Sequence, residues 1–251
     1  MSQHSEACCT IPPVVSKDYV PKGKYITVNG MQTYVTGPAN AKRALLCIYD
    51  IFGFFPQTLQ GADILAHSDK DRPYLVFMPD WFEGKPAHIS WYPPDTDDKK
   101  EKMGAFFSGP AAPPKTVSRV PKVLEELKSK GPGAGIETWG IYGYCWGGKI
   151  VSLSSQAGTP FKAGAACHPA MVDPADAPNI TIPFAMLPSQ DEDKNDVGKW
   201  QEGLKVKGEV TWFDNQIHGF MAARGDLEKA EVKTDYEKAY KLLLNFFHQH
   251  L

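Results

Sequence analysis

The sequence predicts an α/β fold, with a mostly parallel sheet, helices on both of its faces and an antiparallel hairpin at the N-terminal end. Three observations lead there. Short apolar runs rich in β-formers recur along the chain, helix-like segments separate them, and an amphipathic segment of helical period closes the chain.

Residues 24–37 alternate apolar and polar side chains around Asn29-Gly30, a pair that suits a tight hairpin because both positions tolerate positive φ. The runs 44–49, 74–78, 138–144, 163–167, 182–187 and 210–213 read as strands. Helix-like segments at 58–67, 117–130, 146–156 and 197–206 alternate with them. In the last element Thr234 and Glu237 stand at the spacing of a capping box, and Tyr236, Tyr240, Leu243, Phe246 and Phe247 share one helical face, so a terminal helix is expected to dock on the sheet. Residues 83–114 are rich in Pro, Asp, Lys and Gly with scattered aromatics, and read as a loop-rich insertion or lid. No internal repeat or low-complexity linker divides the chain. The expectation is one domain over 1–251, with 1–23 as an N-terminal extension.

With 251 residues the chain is long enough to bury roughly 70–75% of its unfolded surface in a single core. The 27 basic and 29 acidic side chains nearly cancel to a net charge of −2, without long runs of one sign, so the chain lacks the electrostatic signature of a nucleic-acid or membrane-surface binder. A small-molecule partner is expected, and a monomer or small homo-oligomer. No stretch reaches the ~20 apolar residues of a membrane span, and the first residues lack the basic and apolar regions of a signal peptide; a cytoplasmic location is expected.

Five cysteines in a chain without signs of secretion argue against a disulfide framework. Cys47 and Cys167 lie in strand-like runs and read as buried core thiols. Cys8 and Cys9 have no second ligand pair at zinc-like spacing and read as part of a loosely held segment. None of the histidines at 4, 67, 88, 168, 218, 248 and 250 shows ligand spacing, so neither a metal nor an organic cofactor is expected.

Cys145 stands apart. The strand-like run 138–144 leads into Gly143-x-Cys145-x-Gly147 and then into a helix pattern. This is a nucleophile elbow with cysteine where serine is usual: the nucleophile sits on a sharp turn, and side chains two residues to either side would strike backbone. The helix N-terminus favours a thiolate, and the Trp146 N–H can face a developing oxyanion. The bland reading is a small residue packed at a glycine-rich turn.

In enzymes built on such an elbow an acid and then a histidine follow along the chain. Asp191 ends the apolar run 182–187 and its short extension, and is the candidate acid; Glu192 and Asp193 stand beside it, with Asp193 as rival. His218, in the loop after the next strand, is the candidate base. His168 also ends a strand but lies between nucleophile and acid, and is expected to line the pocket instead.

Asp50-Ile51-Phe52-Gly53 after the strand at 44–49, Pro79-Asp80 after the next, Gly143-Tyr-Cys145-Trp-Gly147-Gly148 and His218-Gly219-Phe220 together resemble the dienelactone hydrolases, also called carboxymethylenebutenolidases. The resemblance covers about residues 24–251 and implies the α/β-hydrolase fold and hydrolysis of an ester or enol-lactone through a thioester on Cys145. It makes Cys145, Asp191 and His218 a triad, gives the Ile51 and Trp146 amides to the oxyanion hole, and gives Asp50 an acidic role beside the thiol, where the bacterial pattern has glutamate. That pattern also has an arginine shortly after Pro-Asp to hold a substrate carboxylate. Here the chain reads Pro79-Asp80-Trp81-Phe82-Glu83-Gly84-Lys85, and Arg224 stands displaced from a second family arginine. Phe52, Phe54, Phe55, Trp81, Phe82 and Trp146 suggest an apolar pocket, or else core. Two other readings stay open: a non-catalytic ligand-binding or redox-sensing protein using Cys145 as an oxidisable thiol, and a peptidase or lipase on the same fold.

Overall fold

The computed structural model describes residues 14–251; Cys8, Cys9 and the first half of the N-terminal extension lie outside the described residues. Eight strands form one sheet: β1 (Lys24–Val28), β2 (Met31–Thr36), β3 (Arg43–Ile48), β4 (Tyr74–Pro79), β5 (Thr138–Tyr144), β6 (Ala163–Cys167), β7 (Phe184–Leu187) and β8 (Gly208–Val210). Their order across the sheet is β1-β2-β4-β3-β5-β6-β7-β8. The β1–β2 and β2–β4 pairs are antiparallel and all others parallel, as the α/β class and its opening hairpin require. Asn29 and Gly30 both take positive φ at the hairpin turn.

The helices are α1 (Pro56–His67), α2 (Asp97–Ser108), α3 (Pro113–Val117), α4 (Val120–Ser129), α5 (Trp146–Ser154), α6 (Lys194–Gly203) and α7 (Ala230–His250). Strand β5 shows how both faces are covered. Its residues alternate in direction, so Tyr142 meets Phe247 of α7 and the Tyr144 hydroxyl meets that of Tyr240, 2.5 Å away, while Gly143 points the other way onto Gly147 of α5. Gly61 of α1 lets the Tyr240 side chain close over it, which binds α1 and α7 together on one face.

Several boundaries differ from the sequence expectation. The segment 117–130 is split into α3 and α4, because Pro121 in the first turn of α4 has no N–H to continue a helix from before. The terminal helix begins at Ala230, not at a box around Thr234; the Thr234 hydroxyl donates to the Ala230 carbonyl from inside the helix, with 2.8 Å between the oxygens. The expected apolar face of α7 is buried. The last strand lies at Gly208–Val210, and beyond it the chain stays beside β7 and its extension through the Ser189–Phe213 bridge and the Thr211–Met186 and Gln190–Gln216 backbone hydrogen bonds. The segment read as loop-rich contains the twelve-residue α2, capped by the Thr96 hydroxyl accepting from the Lys99 N–H. Only Met103 and Phe106 of α2 are buried, too few to show a helical stripe. Among the described residues, no helix is long and apolar enough to cross a membrane.

Candidate active site

Cys145 sits at the turn between β5 and α5 with φ 52° and ψ −119°, a left-handed conformation forced on a residue with a side chain. Neighbouring backbone enforces the turn. A Cβ on Gly143 would lie 2.5 Å from the carbonyl carbon and oxygen of Gly147, and one on Gly147 would collide with the Ile48 carbonyl oxygen. The end of β6 and the loop after it clasp the elbow from the other side: the Cys145 N–H donates to the Cys167 carbonyl (3.1 Å) and the Ala170 N–H donates to the Cys145 carbonyl (2.9 Å). Cys145 is 8% exposed and lines a cleft of about 560 Å³.

His218 comes to Cys145 from the loop after β8, in hydrogen-bonding and charge contact with the thiol. Burial alone would lower the imidazole's pKa; contact with Cys145 and the Glu192 carboxylate outweighs burial and holds it well above the usual histidine value. Here one sequence expectation is corrected. The acid on His218 Nδ1 is Glu192, with Oε1 2.6 Å away, while Asp191 accepts the backbone N–H of His218 through Oδ2 at 2.8 Å. The Glu192 side chain is long enough to turn back into the site, where its other oxygen accepts the Ser189 N–H. Asp193 points away as the N-cap of α6, accepting from the Asn195 and Asp196 amides. Chain order alone could not separate three consecutive acids after β7.

Asp50 ends β3's extension and is buried, with Oδ1 accepting from the Phe52 amide (2.9 Å) and Oδ2 from the Ala223 amide (3.2 Å). Burial pushes its carboxyl up to about 6, against the opposing pull of those amides and of the His218 charge. It therefore ties the Ile51-Phe52 loop to the loop that follows His218. The Ile51 and Trp146 N–H groups, expected to hold an oxyanion, donate no hydrogen bond among the described residues; Ile51 lines the cleft with Cys145, and Trp146 follows it in the chain.

His168 does not line the cleft. It is wholly buried behind His218, its ring stacked on Tyr144 (5.8 Å between centroids) and edge-on to His218 (5.3 Å). Neither ring nitrogen has a partner among the described residues, and burial, then the charge of His218, hold its pKa well below the ordinary value. Most of the candidate pocket aromatics are core as well: only Phe52 lines the cleft, while Phe82 packs against Tyr49, Phe106 and Trp146. The Trp81 indole donates to the Cys47 carbonyl and that of Trp146 to the Ala111 carbonyl. Cys47 and Cys167 are buried, and burial raises both thiols far above the ordinary value, as expected of core cysteines.

The charges around the cleft are uneven. Asp191, Glu192, Asp193 and Asp196 line it beside two basic groups, His218 and Arg224. The Arg224 guanidinium is engaged, donating to the His218 carbonyl and lying 4.4 Å from the Tyr92 ring centroid. Lys85 is not in the cleft lining, and nearby Glu83 pairs with Arg119 at 2.8 Å.

The dienelactone hydrolase family model matches residues 31–251. The chain is 36% identical over 239 residues to an uncharacterized AIM2 family protein of Schizosaccharomyces pombe, covering 92% of this chain and 93% of that one. It is 26% identical over 260 residues to a carboxymethylenebutenolidase homolog of Xenopus tropicalis, covering 98% and 99%. Among solved structures, a putative dienelactone hydrolase from Klebsiella pneumoniae superposes with a TM-score of 0.68 at 18% identity, covering 92% of this chain and 99% of that one. The family match takes in every strand except β1 and runs to the last residue, and the chain is a hydrolase belonging to the dienelactone hydrolase family of the α/β-hydrolase superfamily.

Proposed function

We propose that the chain hydrolyses an ester or enol-lactone bond of a small molecule, with Cys145 as nucleophile, His218 as base and Glu192 as the acid that orients it. The observation that carries this reading is the succession of contacts from the Cys145 thiol to the His218 imidazole and from there to Glu192, opening on the cleft. The thiol proton passes to His218, and the sulfur attacks the carbonyl carbon. The carbonyl oxygen becomes an oxyanion facing the Ile51 and Trp146 amides. Collapse breaks the C–O bond, the leaving alkoxide or enolate takes the proton from His218, and the acyl group remains as a thioester. His218 then takes a proton from water, whose hydroxide attacks the thioester. Loss of the thiolate, reprotonated by His218, releases the carboxylic acid. Asp50 is a positioning residue, fixing the Ile51 loop against the loop after His218.

The test is a panel of lactones and aryl esters with wild type, Cys145→Ala and His218→Ala. Each variant is expected to lose roughly 10³–10⁶ in rate, with little change in thermal stability. Mass spectrometry after rapid quenching should show one acyl group on the peptide carrying Cys145. A variant retaining more than about a tenth of the rate in single turnover would overturn the residue's assignment.

A further inference from the structure

Tyr92 and Arg224, stacked on each other, line the active-site cleft, and the same pair lines a second open groove of about 300 Å³. The other walls of that groove are Ile89, Pro93, Ile217 and Ala223. The two hollows thus share a wall one side-chain pair thick, and Ile217 directly precedes the candidate base. Large apolar side chains exposed on the described surface fall into two sets. Val15, Val20 and Tyr25 lie towards the N-terminal end of the chain; Ile89 (38% exposed), Tyr92 (37%), Met171 (42%) and Ile217 (39%) all border the cleft or the groove. Such clustering of solvent-facing apolar surface marks a binding surface.

Resting on the ester-hydrolase reading, we propose that this groove is a subsite for an apolar arm of the substrate, alkyl or aryl, that leaves the cleft over the Tyr92–Arg224 pair. Charge favours such an occupant. The groove contains no carboxylate, and its one cation already donates to the His218 carbonyl, so it offers an ionic arm no free partner. Size decides against a protein. Interfaces of stable complexes bury about 800 Å² on each partner, far more than a cluster of four partly exposed side chains presents. An arm crossing the pair covers the Tyr92 ring and the aliphatic stem of Arg224 and then meets Ile89 and Ile217. That burial is the same in ground and transition state, and so acts through KM rather than kcat.

The experiment measures kcat and KM for two p-nitrophenyl and alkyl ester series, one lengthening the acyl chain from acetate to dodecanoate, the other lengthening the alcohol of an acetate. In one series kcat/KM is expected to rise roughly two- to fourfold per methylene once the chain outgrows the cleft, through KM, as partial to full burial of a methylene gives. In Ile89→Asp the ratio of long-chain to short-chain kcat/KM is expected to fall at least about tenfold, the effect of a charge set in the path of an apolar chain. A flat profile in both series, or an undiminished ratio in Ile89→Asp, overturns the subsite. Absence of turnover on every ester sinks the hydrolase reading instead. The subsite is then decided by calorimetric titration of methyl n-alkyl ketones into Cys145→Ala: affinity rising with chain length, and losing that rise in Cys145→Ala/Ile89→Asp, supports it, and affinity independent of length overturns it.

Discussion

Glu192 and Asp191 divide one histidine between them: Glu192 Oε1 lies 2.6 Å from His218 Nδ1, and Asp191 Oδ2 lies 2.8 Å from the His218 backbone nitrogen. One carboxylate sets the plane and tautomer of the ring, and the other holds the loop that carries it. Both bonds involve an ionised acceptor, about twice as strong as neutral ones.

Exchange of each acid for its amide separates the two roles. Glu192→Gln keeps the shape but can donate to Nδ1, which stabilises the wrong tautomer; kcat is expected to fall about 10³–10⁴-fold. Asp191→Asn still offers an oxygen to the His218 N–H, and a loss within about tenfold is expected. Steady-state kinetics on one aryl ester compares them. Should Asp191→Asn prove the more damaging, the assignment reverses.

The elbow glycines make a stability prediction. Backbone, not flexible side chain, is what an added Cβ would meet at Gly143 and Gly147. Gly143→Ala and Gly147→Ala are each expected to cost about 1–3 kcal/mol or more, the scale of overpacking a tight core, together with displacement of Cys145 and loss of activity. Chemical denaturation reads the first effect and ester turnover the second. A variant as stable and active as wild type would show that the turn has room to move.

Asp50 makes a prediction about pH. Its carboxyl is pushed up from 3.8 to about 6, chiefly by burial. Because the folded value is the higher one, the folded state holds this proton more tightly than the unfolded state. Ionisation therefore costs stability that is intact below about 3.8 and is lost as pH rises through about 6, on the order of 3 kcal/mol in all. Asp50→Asn does not titrate. The unfolding free energy of the variant minus that of wild type is expected to shift by up to that amount in the variant's favour between about pH 4 and 7, on top of a constant offset from losing one amide acceptor. Urea melts across the range measure it, and a difference independent of pH rejects the account.

Much of this architecture was legible because apolar runs and glycine spacing record backbone constraints directly. β5 coincides with residues 138–144, β6 with 163–167, and the elbow glycines stand against backbone as their spacing implied. What was illegible depended on side-chain reach and on packing between distant segments. Asp191, Glu192 and Asp193 are equivalent in order and charge; only the fold of the turn sends one to the ring, one to the backbone and one to cap α6. α2 escaped notice because its polar surface is stabilised by local pairs such as Lys102–Asp98 (2.7 Å) and its Thr96 cap, which leave no apolar stripe. Trp81, Phe82 and Trp146 are aromatic near the site in sequence yet spend their surface on the core, and composition does not distinguish the two fates.

Substrate charge follows from the cleft's own charges. Four carboxylates line it, two of them bound to His218 and one capping α6, while its one guanidinium, that of Arg224, is committed to the His218 carbonyl and the Tyr92 ring. A substrate carboxylate would have to displace one of those contacts or remain unpaired among like charges, a juxtaposition that costs several kcal/mol when desolvated. The cleft is open to water, so part of that cost is screened. A neutral methyl ester of a dienelactone is therefore expected to exceed the free carboxylate in kcat/KM by roughly 10–100-fold at low salt, about 1.4–2.8 kcal/mol, with a smaller ratio at high salt. Arg224→Ala removes the guanidinium and should enlarge the ratio. Preference for the free carboxylate in the wild type would overturn the expectation, and its loss in Arg224→Ala or in Lys85→Ala would identify the cation responsible. Lysine remains the more mobile of the two, since its flexible stem can bring a point charge to a carboxylate without the fixed fork that holds Arg224 to its present partners.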